Sequence, residues 1–226
     1  MKQIEVQKDI LSANETIALE NRELFKQKGI YVLNLMSSPG AGKTTLLERT
    51  IRELKDEMTI GVIEGDQQTD RDAQRIAATG VHVHQINTMD ACHLDAHMIQ
   101  HALETFSLEE LDLLFIENVG NLICPGAFDL GEDSRVVVLS TTEGEDKPLK
   151  YPGIFIGSQL AIINKVDLLE VLELDLDQYL SFVKRVNPSI ACLSLSAKTG
   201  ESIAGWYDWL RQKISEKSGG PGIRLS

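Results

Sequence analysis

Seven short apolar runs, rich in β-branched residues, punctuate the chain: YVLNLM (31–36), TIGVIE (59–64), VHVHQI (81–86), LDLLFIE (111–117), RVVVLST (135–141), LAIINK (160–165) and ACLSLS (191–196). They alternate with longer stretches at helical spacing, and near-continuous apolar strands are those buried on both faces of a parallel sheet. The pattern predicts an α/β fold, doubly wound, with a mostly parallel seven-stranded sheet and helices on both faces. Ligands of such a sheet lie outside the C-terminal ends of its strands. Residues 9–28 carry Ile10, Leu11, Ile17, Leu24 and Phe25 at helical spacings, which predicts an amphipathic helix that either covers the core or belongs to an interface. The expected organisation is a helical extension over 1–29, one α/β domain over 30–215 and a loose tail over 216–226, where Gly, Ser and Pro accumulate.

Composition narrows the class. A chain of 226 residues with 42% hydrophobic content can bury one substantial core. The formal net charge of -12 argues against nucleic acid as a partner, because neutralising a phosphate backbone needs a dense Lys/Arg patch. The opening MKQIEVQKDI lacks an apolar run and no stretch approaches the length of a membrane span, so no membrane association and a cytoplasmic location are expected. Three cysteines, Cys92, Cys124 and Cys192, do not make a paired disulfide framework, which leaves free thiols or metal ligands.

The first chemical signal follows the first run: Ser37-Ser38-Pro39-Gly40-Ala41-Gly42-Lys43-Thr44-Thr45, then a helical pattern. Strand, glycine-bearing loop and helix start together form the context of a phosphate loop, so the domain reads as a P-loop NTPase. Gly40, Ala41 and Gly42 bring backbone N–H groups to phosphate oxygens, aided by the helix N-terminus. Lys43 neutralises the β and γ phosphates, the Thr44 hydroxyl ligates Mg²⁺, and Thr45 completes the turn. Ser37 replaces the first glycine of the usual pattern, which predicts a somewhat different turn. Asp66, ending the second strand, and Glu117, ending the fourth, are assigned to the magnesium shell, and Gly120 to sensing the γ-phosphate. The acid-rich segment Asp66–Asp72 is the expected first switch; Asp70 and Asp72 read as ordinary caps. Asn121 stands where many GTPases place a water-orienting Gln, so slow intrinsic hydrolysis is expected.

Guanine is indicated by Asn164-Lys165-Val166-Asp167 at the end of LAIINK. A carboxylate at Asp167 can accept from the guanine N1–H and exocyclic amine, which adenine does not present in that arrangement. Asn164 ties this loop to the phosphate loop, and Lys165 lays its apolar stem along the base. Ser196, Ala197 and Lys198 follow the last strand and offer a backbone N–H to the guanine carbonyl. The cofactor set is therefore GTP/GDP with Mg²⁺.

Between residues 89 and 101 the chain reads MDACHLDAHMIQH. As a helix it would align His93, His97 and His101 in one stripe with Cys92 at its edge. The alternative is a neutral core cysteine with surface histidines. Cys124, four residues beyond Gly120, adds a thiolate on the second switch. A Cys92/His93/Cys124 set with an open coordination position suits a labile Ni²⁺ or Zn²⁺. Cys192 lies within an apolar strand and reads as packing.

Four segments, Ser-Pro-Gly-Ala-Gly-Lys-Thr (38–44), Asp-Ala-Cys-His-Leu-Asp-Ala (90–96), Glu-Asn-Val-Gly-Asn-Leu-Ile-Cys-Pro (117–125) and Asn-Lys-Val-Asp (164–167), closely resemble the hydrogenase nickel-incorporation GTPases, the HypB family. The resemblance runs roughly from Tyr31 to the Ser-Ala-Lys loop. It implies a GTP-driven metallochaperone that helps deliver nickel during [NiFe]-hydrogenase maturation, as a homodimer formed on GTP binding. Its implied partners are a nickel-delivery protein and the hydrogenase large subunit. It also implies a metal site at Cys92, His93 and Cys124 near the dimer interface, with His97 and His101 as weaker candidates for a second ion. The chain lacks the N-terminal cysteine motif and histidine-rich run of some members, so no separate nickel store is expected. A urease-type nickel GTPase would show a Cys-Pro-His motif, absent here; a non-enzymatic nickel or zinc buffer or sensor is the other alternative. A nucleotide kinase fits poorly with the guanine-reading loops and the lack of an Arg-rich lid.

Overall fold

The computed structural model describes residues 2–89 and 91–219, with side chains from Leu11 onward. In chain order the elements are α1 (Lys2–Lys28), β1 (Tyr31–Ser37), α2 (Lys43–Leu54), β2 (Ile60–Asp66), α3 (Arg71–Ala77), β3 (His82–Asn87), α4 (Ala96–Leu103), β4 (Leu113–Glu117), β5 (Ser134–Ser140), α5 (Lys147–Lys150), α6 (Pro152–Ile156), β6 (Leu160–Asn164), α7 (Leu169–Leu172), α8 (Leu176–Val186), β7 (Ala191–Leu195) and α9 (Ala204–Lys217). All seven expected strands form. They make one sheet in the order β3-β2-β4-β1-β5-β6-β7, and every pairing is parallel.

Strand alternation decides which face each residue serves. Leu33, Leu35, Val136 and Val138 join α2 and α9 in one core through Leu46, Leu47, Ile51, Trp206 and Leu210. Their neighbours Val32, Ile63, Leu114 and Ile116 point the other way, against Phe25 of α1 and Ile99 and Leu103 of α4. On the same opposite face, Val137, Leu139 and Ile163 pack under Tyr179 and Val183 of α8. The doubly wound reading therefore holds. β1 lies between the half built from β2 to β4 and the half built from β5 to β7, so the loop after β1 opens at the topological switch point.

Helix α1 starts earlier than the apolar spacing predicted, and its buried stripe differs. Asn14, Ala18, Asn21 and Phe25 are buried, while Leu11, Ile17 and Leu24 are only half-buried. The side chain of Ile10 lies outside those described. The asparagines are held by backbone: Asn14 Oδ1 accepts from Ala96 N and Asn21 Nδ2 donates to Ala96 O, both at 2.9 Å. Local apolarity could not reveal this face, because its partners are polar groups at the start of α4. Helix α9 runs to Lys217, past the expected domain boundary, and most of the expected tail, residues 220–226, lies outside the described residues.

Candidate functional site

The phosphate loop is shaped by two glycines that no other residue could replace without strain. Gly40 and Gly42 have φ of 77° and 98°, and a Cβ on Gly42 would meet Asn164 Nδ2 at 2.4 Å. Ser37 needs no such freedom: it ends β1 as an ordinary strand residue, and its Oγ accepts from Lys43 Nζ at 2.8 Å. The glycine-to-serine departure thus supplies a rest position for the lysine. Lys43 opens α2, and its neighbour Thr44 donates from Oγ1 to Glu117 Oε1 at 2.7 Å.

Around this loop a cleft is lined by Pro39, Gly42, Thr44, Asp66, Glu117 and Gly120. Two further residues in it, Glu64 and Arg75, escaped the sequence reading. Glu64 is 2% exposed and stands opposite Glu117, 3% exposed, in the β2–β4 register. One oxygen of each, Glu64 Oε2 and Glu117 Oε2, lacks a hydrogen-bond partner. Burial, then the charges of Glu117, Asp66 and Asp72, push Glu64 up to about 8, with Lys43 opposing. Burial also raises Glu117, against Lys43 and the Thr44 hydrogen bond. Asp66 behaves differently. Burial raises it, but hydrogen bonds from the Gln68, Thr69 and Gln67 segment outweigh that and leave it below the usual range. Its carboxylate closes the turn that follows β2, taking Gln68 N at 3.0 Å and Thr69 Oγ1 at 3.1 Å. Asp70 flanks α3 without capping it, accepting instead from Gln74 Nε2 at 2.7 Å. Asp72 sits in the first turn of α3 beside Arg75, whose guanidinium also pairs with Glu48 at 2.6 Å. A divalent cation with a phosphate chain suits this donor set: hard oxygens, two of them buried and unpartnered, beside a lysine and a helix start.

A second cleft adjoins the first and is lined by Gly42, Thr45, Asn164, Lys165, Asp167 and Ala197. Asn164 spans three loops, donating to Ala41 O at 2.8 Å and accepting from Lys165 N and Ala197 N at 2.8 and 2.9 Å. Lys165 adopts φ 65° and its Nζ donates to Gly40 O at 2.8 Å. Asp167 Oδ1 is buried with no partner. An orphaned carboxylate oxygen on a residue that lines this cleft fits a ligand that offers N–H groups there. The Ala197 N–H, held by Asn164, is engaged within the protein.

The metal candidates meet across two loops, and here one expectation fails. Cys92 and His93 do not lie on a helix. Asp95 accepts from Met98 N at 2.8 Å and caps α4, so the helix begins at Ala96 and the four-residue histidine stripe breaks before His97. Proximity comes instead from the loop after β4. The ligand atoms of Cys92, His93 and Cys124 lie within 4.8 Å of one another, the only such Cys/His/Asp/Glu set among the described residues. The Cys92 thiol donates to Cys124 Sγ at 2.6 Å, and His93 stacks on Phe128 with ring centroids 3.8 Å apart. Burial lowers His93, and the Cys92 hydrogen bond followed by burial raises Cys124. An imidazole in its neutral form would offer its lone pair directly, and the two thiols would give up their protons to a borderline metal. His97 and His101 stand on α4 outside this set, with His101 near Glu104 at 3.5 Å. Cys192 is half-buried against the α8 core, as its place in an apolar run suggested.

Two asparagines tie the clefts to the metal set, and only the fold reveals them. Asn118 Oδ1 accepts from Leu94 N at 3.1 Å, next to His93. Asn121 Oδ1 accepts from Ile123 N and Cys124 N at 2.7 and 3.4 Å. Between them Gly120 touches the phosphate loop: a Cβ there would lie 3.0 Å from Pro39 Cα.

Comparison with known proteins identifies the family. Residues 31–194 match the model of the CobW/HypB/UreG, nucleotide-binding domain family. The hydrogenase maturation factor HypB of Rhizobium leguminosarum bv. viciae is 54% identical over 215 residues, covering 95% of this chain and 72% of that protein. Among solved structures, the hydrogenase maturation factor HypB from Archaeoglobus fulgidus shares 43% identity at a TM-score of 0.85, covering 90% of this chain and all of that one. HypB from Helicobacter pylori, solved in complex with nickel, shares 41% identity at a TM-score of 0.86, covering 93% of this chain and 99% of its own. The chain belongs to the HypB family of hydrogenase maturation factors, within the CobW/HypB/UreG nucleotide-binding proteins.

Proposed function

We propose that the protein is a GTP-hydrolysing metallochaperone of the cytoplasm that helps insert nickel during [NiFe]-hydrogenase maturation, receiving the ion from a delivery protein and working toward the hydrogenase large subunit. The observation that carries this reading is the segment from Glu117 to Cys124. At one end it reaches the Thr44 hydroxyl, in its middle it abuts Pro39 of the phosphate loop, and at the other end it bears a metal-set thiol.

In this reading the Asp167 carboxylate takes the N1–H and amine of guanine, with Asn164 holding the loops in register and Lys165 covering the base. Lys198 N–H serves the guanine carbonyl. Lys43 leaves Ser37 for the β and γ phosphates. Thr44, Asp66 and Glu117 hold Mg²⁺, which when bound neutralises charge on the phosphate oxygens. Water attacks the γ-phosphorus, the bond to the bridging oxygen breaks, and GDP, phosphate and a proton leave. The Asn121 side-chain oxygen is taken by Ile123 and Cys124, which supports the reading of slow hydrolysis.

Loss of the γ-phosphate removes the Gly120 contact and relaxes the Cys124 loop against Cys92 and His93, so affinity for Ni²⁺ or Zn²⁺ differs between nucleotide states. The thiolate–imidazole donor set suits both ions, and the relative solved with nickel favours nickel. GTP also brings two subunits together. Native mass determination with GDP and with a non-hydrolysable GTP analogue tests this, counting subunits and ions, alongside GTP turnover by wild type and Lys43→Ala. Dimers with the analogue, and turnover lost in the variant, are expected. A folded chain that takes up neither nucleotide with Mg²⁺ present refutes the reading.

A further inference from the structure

The geometry points to Glu64 as a third carboxylate of the cation site, a positioning residue that accepts from a water of the magnesium ion; this rests on the nucleotide reading above. Three observations carry the inference. First, Glu64 and Glu117 are directly opposed on neighbouring parallel strands, so their side chains leave the sheet side by side. Second, both are nearly fully buried in the wall of the phosphate cleft, and each keeps one oxygen with no partner. Third, the cation beside them, Lys43, is hydrogen-bonded to Ser37.

Two like-charged side chains are expensive to bury side by side unless something between or before them supplies positive charge. An apolar or amide residue would fill position 64 at lower cost if packing were its only task. Gly65 supports the placement: a Cβ there would strike Leu94 at 2.8 Å, so the strand end is pressed against the loop next to His93 and Glu64 cannot easily swing away. Three carboxylates, Glu64, Asp66 and Glu117, then face one divalent ion and keep it attracted even when the γ-phosphate has gone. The ion accordingly stays with GDP after hydrolysis.

The test is a Mg²⁺ titration of the full chain with fluorescent GDP, for wild type and Glu64→Gln, with melting of the nucleotide-free protein in chelator as a second readout. The amide keeps shape and hydrogen bonding but not charge. The Mg²⁺ half-saturation point is expected to rise about 10- to 100-fold, GDP binding in chelator to tighten because a carboxylate beside the phosphates is replaced by a neutral amide, and the metal-free protein to melt higher because the buried acid is gone. A half-saturation point within twofold of wild type overturns the inference, since a merely packed acid tolerates the amide. If Glu64→Gln does not fold, Glu64→Asp decides: drawing the carboxylate back is expected to weaken Mg²⁺, and an unchanged midpoint overturns the assignment. A wild-type chain that binds no GDP at any Mg²⁺ concentration overturns the nucleotide reading itself.

Discussion

Asn118 Oδ1 accepts the Leu94 backbone N–H at 3.1 Å, so the residue after Glu117 is bonded to the residue after His93. Asn118 Nδ2 continues the line to Asn34 Oδ1 of β1 at 3.2 Å. A buried amide thus fixes the metal-bearing loop to the strand that ends in the phosphate loop. Replacing Asn118 with Ala strands the Leu94 N–H, at a cost of about 1–3 kcal/mol. Thermal melting should show that loss, and Asn118→Asp, which keeps the acceptor, should recover part of it.

Asp167 is expected to carry base selectivity. Asp167→Ala removes a charged acceptor of two hydrogen bonds, and a charge-assisted bond contributes about 1.5–3 kcal/mol. GDP affinity should fall by roughly 100-fold or more. Equilibrium binding of GDP and ADP checks this: the preference for GDP should shrink with the loss.

Gly42→Ala should fail for two separate reasons, the positive φ and the collision with Asn164. The left-handed conformation alone costs about 1–2 kcal/mol. Displacing Asn164 also breaks its links to Ala41 and Ala197. Melting temperature and GDP affinity should therefore drop together, whereas Lys43→Ala should lose hydrolysis while keeping its fold.

The pH dependence of the nucleotide-free protein follows from Glu64. Its pKa is raised from 4.5 to about 8 in the fold, so between those values the folded state binds more protons than the unfolded one. This contribution to stability is present below about 4.5 and is lost as pH rises through about 8. Denaturant midpoints in chelator should fall across that window for wild type, and Glu64→Gln should flatten the slope.

The fold was legible because parallel strands buried on both faces write themselves as apolar runs, and the strand, glycine loop and helix start around Lys43 because that pattern is local in sequence. What was hidden depends on register and docking. Glu64 matters through its alignment with Glu117, Asn118 through a bond to a loop 24 residues away, and Arg75 through the placement of α3 beside Glu48. The histidine stripe misled because a four-residue repeat imitates a helix face, while Asp95, a stronger signal, sets the helix start after His93. Likewise, α1 buries Asn14 and Asn21 because their partners are carbonyls and amides of distant elements.

Asn121 should transmit the state of Gly120 to the thiol. In Asn121→Ala, Ile123 and Cys124 lose their shared acceptor, so nickel binding should weaken and respond less to nucleotide. The thiolate-to-nickel absorption band, followed with GDP and with a GTP analogue, reports both.

The central claim, that nucleotide and metal share one mechanical segment, is tested most directly by the nickel dissociation constant of the full chain bound to GDP and to a non-hydrolysable GTP analogue. A ratio of about fivefold or more is predicted, the range in which coupled sites operate. Equal constants in the two states would contradict it.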